Sequence, residues 1–247
     1  MIHVFGVTHA GAAIPEGLEG PGDPAHPVRS VEHDGIAAAV ADIDAPPRNR
    51  EALNTHQQVQ GELVSHVTLV PLRFGTMFED EKELVQGLLE SHADELKGLL
   101  ADVEDRVQLT LKAIYHEDVV LREVVKADPE LKGASERLRA SGAGQDAWVA
   151  LGERVAHAVQ ARREADENAI VARLEPVCER IIVEAPGHER EVARLQLLVH
   201  RDRRKPLDDA VAALAAEQEE RYVVRYVGPL APYSFCDVAL EAESAWG

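Results

Sequence analysis

Apolar and polar positions along the chain follow two periods, near 2 and near 3.6 residues, and the switches between them mark out the elements. Residues 2–7 are almost wholly apolar and read as a buried strand, whereas 10–27 hold Gly and Pro without a period and read as a surface loop. Residues 28–31 and 36–43 flank His33-Asp34-Gly35, and Asp34-Gly35 predicts a tight hairpin turn. After the break at Pro46-Pro47, Leu53, Val59, Leu63 and Val64 recur at helical spacing through 50–66, a helix expected to cover the sheet. Residues 67–72 have the apolar, β-branched character of an interior strand, and 79–100 return to helix with Leu84, Leu88, Leu89, Leu96, Leu99 and Leu100 available for burial.

From Val103 the pattern alternates: Val107, Leu109, Leu111 and Ala113 face one way, and Gln108, Thr110 and Lys112 the other, which predicts a strand. Short helices over 116–125 and 130–139 are separated by Asp128-Pro129, and the stretch 141–144 is a break. Trp148, Leu151, Val155, Val159, Ile170 and Leu174 then draw an apolar stripe on a long helix over 145–174. Arg162, Arg163 and Asp166 interrupt the stripe, so its middle turn is expected to be exposed. Strands over 179–184 and 192–200, a helix over 206–219 with Pro206 in its first turn, and a strand over 221–227 complete the series. Together with the strand over 107–113 this is the order β-α-β-β-α-β of a ferredoxin-like sandwich. The expected fold is therefore α+β in two domains, 1–101 and a ferredoxin-like 102–228, followed by a C-terminal tail over 229–247 that packs on the domains or a partner and frays from Glu241.

Composition narrows the chemistry. With 26 Lys plus Arg against 44 Asp plus Glu, the net charge of −18 opposes phosphate backbones, so nucleic acid is not an expected partner. No apolar run approaches the roughly 20 residues of a membrane-spanning helix, and no basic segment leads into an apolar one at the start, so a soluble cytoplasmic protein is expected, without a membrane partner. Cys178 and Cys236 lack a CxxC spacing, the 11 His are dispersed without an HExxH pairing, and no GxxxxGK, GxGxxG or GxSxG is present. No cofactor, metal or catalytic residue is therefore assigned, and a hydrolase assembled from dispersed His ranks last.

Two segments hold two of the four Phe and one of the four Tyr: Leu69-Val70-Pro71-Leu72-Arg73-Phe74-Gly75-Thr76 and Gly228-Pro229-Leu230-Ala231-Pro232-Tyr233-Ser234-Phe235. Thr76 and Glu79 have the spacing of a capping box, and Asp80, Glu81 and Glu83 suit the positive end of the same helix. Arg73, beside a Gly and a helix start, is a candidate for binding an anion or a partner carboxylate, although Glu79 to Glu83 offer it internal partners. Pro229, Pro232, Tyr233 and Phe235 form a stiff, partly aromatic segment suited to packing on a surface, its own or a neighbour's. Arg73, Phe74, Gly75, Thr76, Gly228, Pro229, Pro232, Tyr233 and Phe235 are thus the candidate partner-binding or interdomain residues. The basic run Arg201-Asp202-Arg203-Arg204-Lys205 falls between a strand and a helix and reads as a solvated loop or a docking patch for an acidic surface.

Taken together, the two aromatic segments resemble those of the gas vesicle protein F and L family (GvpF/GvpL), and the resemblance runs from the opening strand to Phe235. Leu230 departs from it, standing where relatives often carry an aromatic. The resemblance implies a cytoplasmic or gas-vesicle-associated, non-enzymatic accessory protein of two α+β domains, one of them ferredoxin-like. It also implies binding to the small apolar gas vesicle shell protein (GvpA-type) and to other accessory proteins during nucleation or early shell growth. A second reading, of a different class, is a ferredoxin-like sensor of a small ligand, an anion or nucleotide held by Arg73.

Overall fold

The computed structural model describes residues 1–116, 118–142 and 144–236, and the expected fray from Glu241 lies outside them. The protein is a mixed helix and sheet structure with two antiparallel sheets, 48% helical and 26% strand. It divides into two compact units: Met1–Leu109 with Leu198–Arg201 and the segment from Gly228, and Thr110–Leu197 with Asp202–Val227.

In the first unit, β1 (Ile2–His9) is the central strand of the order β2-β3-β1-β4. β2 (Arg29–His33) and β3 (Ile36–Asp42) form the expected hairpin, in which Asp34 and Gly35 have φ of 44° and 87°, as a two-residue primed turn requires. Every residue from Ile2 to Thr8 is buried, as in a strand covered on both faces, and α1 (Arg50–His66) and α3 (Ala93–Asp102) both pack on it. The interior strand expected over 67–72 narrows to β4 (Val70–Pro71), which pairs with Gly6 and Val7, while β5 (Met77–Phe78), unforeseen from the pattern, pairs with Ile2 and His3.

The single helix expected over 79–100 is interrupted. It starts as α2 (Glu81–Leu84), widens into a π-helical turn at Val85–Glu90, and resumes as α3 after Ser91 and His92. Its cap also lies further on: Asp80 accepts from the Glu83 N–H at 2.8 Å, Glu83 reaches back to the Glu79 N–H, and the Thr76 hydroxyl donates to Arg73 O instead. The cap is Asp80, with Glu83 reaching back to the residue before it, because β5 occupies the residues after Thr76 and delays the helix. Through the π turn Leu84, Leu88, Leu89, Leu96 and Leu100 all remain fully buried.

The second sheet has the order β7-β8-β6-β9, with β6 (Arg106–Tyr115), β7 (Arg180–Glu184), β8 (Glu191–His200) and β9 (Tyr222–Leu230). Three helices, α4 (Val119–Ala127), α5 (Pro129–Ser141) and α6 (Gln145–Leu174), lie between β6 and β7, and α7 (Arg204–Glu217) lies between β8 and β9. Asp128 caps α5 through the N–H groups of Glu130 and Leu131, with Pro129 at its first position, so the expected break is the boundary of two helices. The stripe on α6 is buried only at Asp166, Ile170 and Leu174, and Trp148 and Val149 near its start are exposed. In the middle turn, expected to be exposed, Arg162 is exposed and Arg163 half-buried, but Asp166 is buried, because Arg221 and Tyr115 neutralise and bond it in place.

Candidate functional site: the C-terminal segment on the first unit

Both aromatic segments lie in the first unit, and the fold brings them together at one hydroxyl. Leu72 holds its segment to β1 by donating its N–H to Phe5 O at 3.0 Å; the chain then turns through Arg73 to Thr76, with Gly75 at φ 94° and Val4 N–H donating to Thr76 O at 3.0 Å. The second segment begins within β9 at Gly228, whose φ is 151° and where a Cβ would stand 2.9 Å from Leu109 Cγ and 3.0 Å from Gln108 O. Any side chain there would lift the strand away, so glycine is required. Pro229 ends the strand pairing with Leu230, Pro232 precedes a 3₁₀ turn at Tyr233–Phe235, and Ala231, Phe235 and Cys236 are buried. Gln108 clamps the turn, accepting from Ser234 N–H at 3.0 Å and facing the Ser234 hydroxyl at 3.3 Å.

Tyr233 closes the assembly. Its hydroxyl lies 2.6 Å from Leu72 O and 2.7 Å from Gln60 Nε2, and Gln60 Nε2 also donates to Phe5 O at 2.6 Å. Beside it, His56 Nε2 is 3.1 Å from Leu72 O, and His3 Nε2 is 2.8 Å from His56 Nδ1. A carbonyl only accepts, so the proton sits on His56 Nε2, His56 Nδ1 is the acceptor, and His3 Nε2 donates to it. His3 Nδ1 is left as a buried lone pair without a partner among the described residues. Both imidazoles are held neutral: burial, then the proximity of His56, pushes His3 down to about 3, and burial pushes His56 down to about 4 despite its bond to Leu72. The Phe5 ring stacks on His56 at 5.3 Å, and the Phe74 ring meets His3 and His56 edge-on at 5.7 and 5.6 Å. Burial raises the Tyr233 phenol above its ordinary value, although the ring remains 40% exposed.

Of the candidate residues, Phe74 and Tyr233 pack or bond within this cluster, Phe235 is buried in the turn that follows Tyr233, Gly75, Thr76, Gly228, Pro229 and Pro232 shape the backbone of the two segments, and Arg73 stays outside. The acids expected to engage Arg73 are used elsewhere, Glu81 by Arg29 at 2.7 Å and Glu83 as a cap, and Arg73 is exposed without an ion pair among the described residues. His3, His56 and Gln60 were missed. Their signal was a polar pair at i, i+4 inside the stripe that α1 buries (Ala52, His56, Val59, Gln60, Leu63), and a His within an otherwise apolar strand.

The second unit carries a polar cluster of opposite character. Arg221 donates to both oxygens of Glu123 at 2.8 Å and to Asp166 at 2.7 and 3.2 Å; Tyr115 donates to Asp166, and Arg162 adds a contact at 3.2 Å. Burial opposes ionisation of Asp166, but the bonds from Arg221 and Tyr115 outweigh it and hold its carboxyl below the ordinary value. The bond from Arg221 does the same for Glu123. Among the described residues no group of three or more His, Cys, Asp or Glu could hold a metal, and no helix is long and apolar enough to cross a membrane.

The chain belongs to the GvpL/GvpF family of gas vesicle synthesis proteins, whose family model matches residues 1–237. It is 36% identical over 243 residues to gas vesicle protein F of a Streptomyces species, across 95% of this chain and 99% of that one. Gas vesicle protein F of Dolichospermum flosaquae is 23% identical over 230 residues, across 91% and 94%. The crystal structure of GvpF from an Anabaena species has the same fold, with a TM-score of 0.85 at 20% identity over 96% of this chain and 98% of that one. GvpF from Microcystis aeruginosa superposes with a TM-score of 0.78 at 20% identity, over 96% and 99%. The family and its gas vesicle protein F members give the chain an accessory role in gas vesicle formation.

Proposed function

We propose that this chain is a non-enzymatic assembly factor that works in the cytoplasm and binds the small apolar shell protein (GvpA-type) and other accessory proteins during nucleation or early growth of a gas vesicle. The observation that carries this reading is the family match over residues 1–237. The states of the reactive side chains support the non-enzymatic part: His3 and His56 are buried and neutral, and burial pushes the Cys178 thiol up to about 11. Two surfaces suit a partner. Arg73, which makes no ion pair among the described residues, and the half-exposed Tyr233 place a cation beside an aromatic, a combination suited to a partner carboxylate and its flanking apolar atoms. Among the described residues strand β9 pairs only with β6, and it exposes Val223 and Val227, which suits a strand added at its edge. The order β7-β8-β6-β9, with helices after the first and third strands in sequence, supports a ferredoxin-like reading of the second unit.

Co-expression with the shell protein of the same gene cluster, followed by pull-down and size exclusion, tests the proposal. A defined complex weakened by Arg73→Ala, with new hydrogen-exchange protection at 222–230 or 228–235, is expected. No complex, even with the other accessory proteins present, would defeat the reading.

A further inference from the structure

A groove of about 410 Å³ runs along α4 and α5, lined by Leu121, Arg122, Val125, Lys126 and Lys132. On α4, Leu121 and Val125 stand one turn apart as an apolar row, and Arg122 and Lys126, one residue on, make a cationic row beside it. Lys132 adds a third positive charge from α5. Among the described residues no acid lines the groove, although the chain carries a net charge of −18. Three nearby carboxylates are committed elsewhere: Glu123 to Arg221, Asp128 to the N-terminus of α5, and Glu130 to Arg154 at 3.5 Å. Among the described residues, Arg122, Lys126 and Lys132 make no ion pair, and Leu121 is 42% exposed.

We infer that this groove receives an acidic amphipathic helix of a partner protein, its apolar stripe against Leu121 and Val125 and its carboxylates on Arg122, Lys126 and Lys132. Charge decides the class of occupant, because three cations without an ion pair among the described residues, set around an apolar floor, complement an apolar row flanked by acids. Shape decides against a small amphiphile: small-ligand sites enclose most of their ligand's surface, whereas this groove is open along two helices, the geometry of a helix laid in a groove. The inference stands apart from shell-protein binding and rests on none of the surfaces named for it.

The test uses the full chain and a synthetic, fluorescently labelled helical peptide of about 14 residues, four turns, with a Leu stripe flanked by Glu, beside a counterpart flanked by Lys. Fluorescence anisotropy is expected to show the Glu peptide binding at least about tenfold more tightly than the Lys peptide, with affinity falling as salt rises. The double variant Arg122→Glu/Lys126→Glu should reverse the preference, and Leu121→Asp should weaken the Glu peptide without altering the circular dichroism spectrum, because these side chains are exposed. Equal binding of the two peptides, binding of neither, or a preference unmoved by charge reversal would overturn the inference. So would a short anionic surfactant competing equally well with both peptides, or self-association through the groove that Leu121→Asp abolishes.

Discussion

The two units solve the burial of polar groups in opposite ways. In the first, His3, His56 and Gln60 are almost inaccessible and carry no net charge, and one tyrosine hydroxyl from the C-terminal segment bonds Gln60 and the Leu72 carbonyl beside them. In the second, one guanidinium gathers two carboxylates, and Glu123 and Arg162 keep side-chain exposures of 33% and 44%. A buried neutral network is costly to leave incomplete but indifferent to salt, whereas a half-solvated ionic network is screened from outside and fails when its central charge is removed. The two therefore respond to different perturbations.

Acid should separate them most sharply. An ordinary histidine titrates near 6.5, and here the folded values lie near 3 and 4. Below 6.5 the unfolded chain takes up protons that the folded chain refuses, so the contribution of the pair is complete above 6.5 and is lost as the pH falls toward 4. With two groups the slope approaches about 2.7 kcal/mol per pH unit. Glu123 and Asp166, held below ordinary values of 4.5 and 3.8, keep their contribution over that range and lose it only in stronger acid. Urea unfolding between pH 7.5 and 5 should show the steep loss. Hydrogen exchange at pH 5.5 should place the early opening at 1–7 and 50–66, with the segments around Tyr115 and Arg221 still protected.

Removing the central charge reverses the order. Arg221→Met leaves Asp166, whose side chain is 11% exposed, with only Arg162 and Tyr115, and breaking a buried pair of this kind costs about 3–5 kcal/mol. The exposure of Glu123 and Arg162 brings the expected loss to about 2–3 kcal/mol. Asp166→Asn in the Arg221→Met background should recover part of it. If the two substitutions instead add independently in urea unfolding, Arg221 and Asp166 do not form a coupled pair.

Tyr233→Phe removes a single oxygen from the neutral cluster. Gln60 and Leu72 O then lose a buried partner, at a cost of about 1–3 kcal/mol, while the ring keeps its packing. The effect should be local first, with faster exchange of the Ser234 and Phe235 amides before any change in the second unit. Unchanged exchange there would mean that Gln108 and the buried Phe235 hold the segment without the hydroxyl.

What the sequence disclosed follows from what each feature needs. The hairpin at Asp34-Gly35, the α5 start at Asp128-Pro129 and the strand over Val107 to Ala113 are local in cause, and each appeared where its pattern put it. The π turn at Val85–Glu90 and the shifted cap arise from β5, whose pairing with Ile2 and His3 is non-local and too short to show a period. The clusters were hidden for the same reason. Asp166 looked like a break in an apolar stripe because its partners lie at Tyr115 and Arg221. His56 and Gln60 looked like the polar face of α1 because their partners are carbonyls of Phe5 and Leu72 and a hydroxyl at Tyr233. The aromatic segments were visible because Phe and Tyr are scarce in this chain, with four of each. Their meeting at a single hydroxyl was not, since nothing in either segment specifies the other's partner.

The smallest expected effect sharpens the comparison most cleanly at the surface. Arg73 lies beside the neutral cluster, near enough for its charge to favour ionisation of the Tyr233 phenol, yet it is exposed and makes no ion pair among the described residues. A solvated cation of this kind contributes little, so Arg73→Ala should leave urea stability within about 0.5 kcal/mol of the parent. That near-silence makes the substitution useful: any loss of complex formation can then be read as lost binding, which Phe235→Ala could not offer, since emptying that buried site costs about 3–5 kcal/mol of the fold itself. If Arg73→Ala were instead destabilising by more than about 1 kcal/mol, the residue would belong to the internal cluster, and the partner surface would have to be sought elsewhere, with the β9 edge the next to examine.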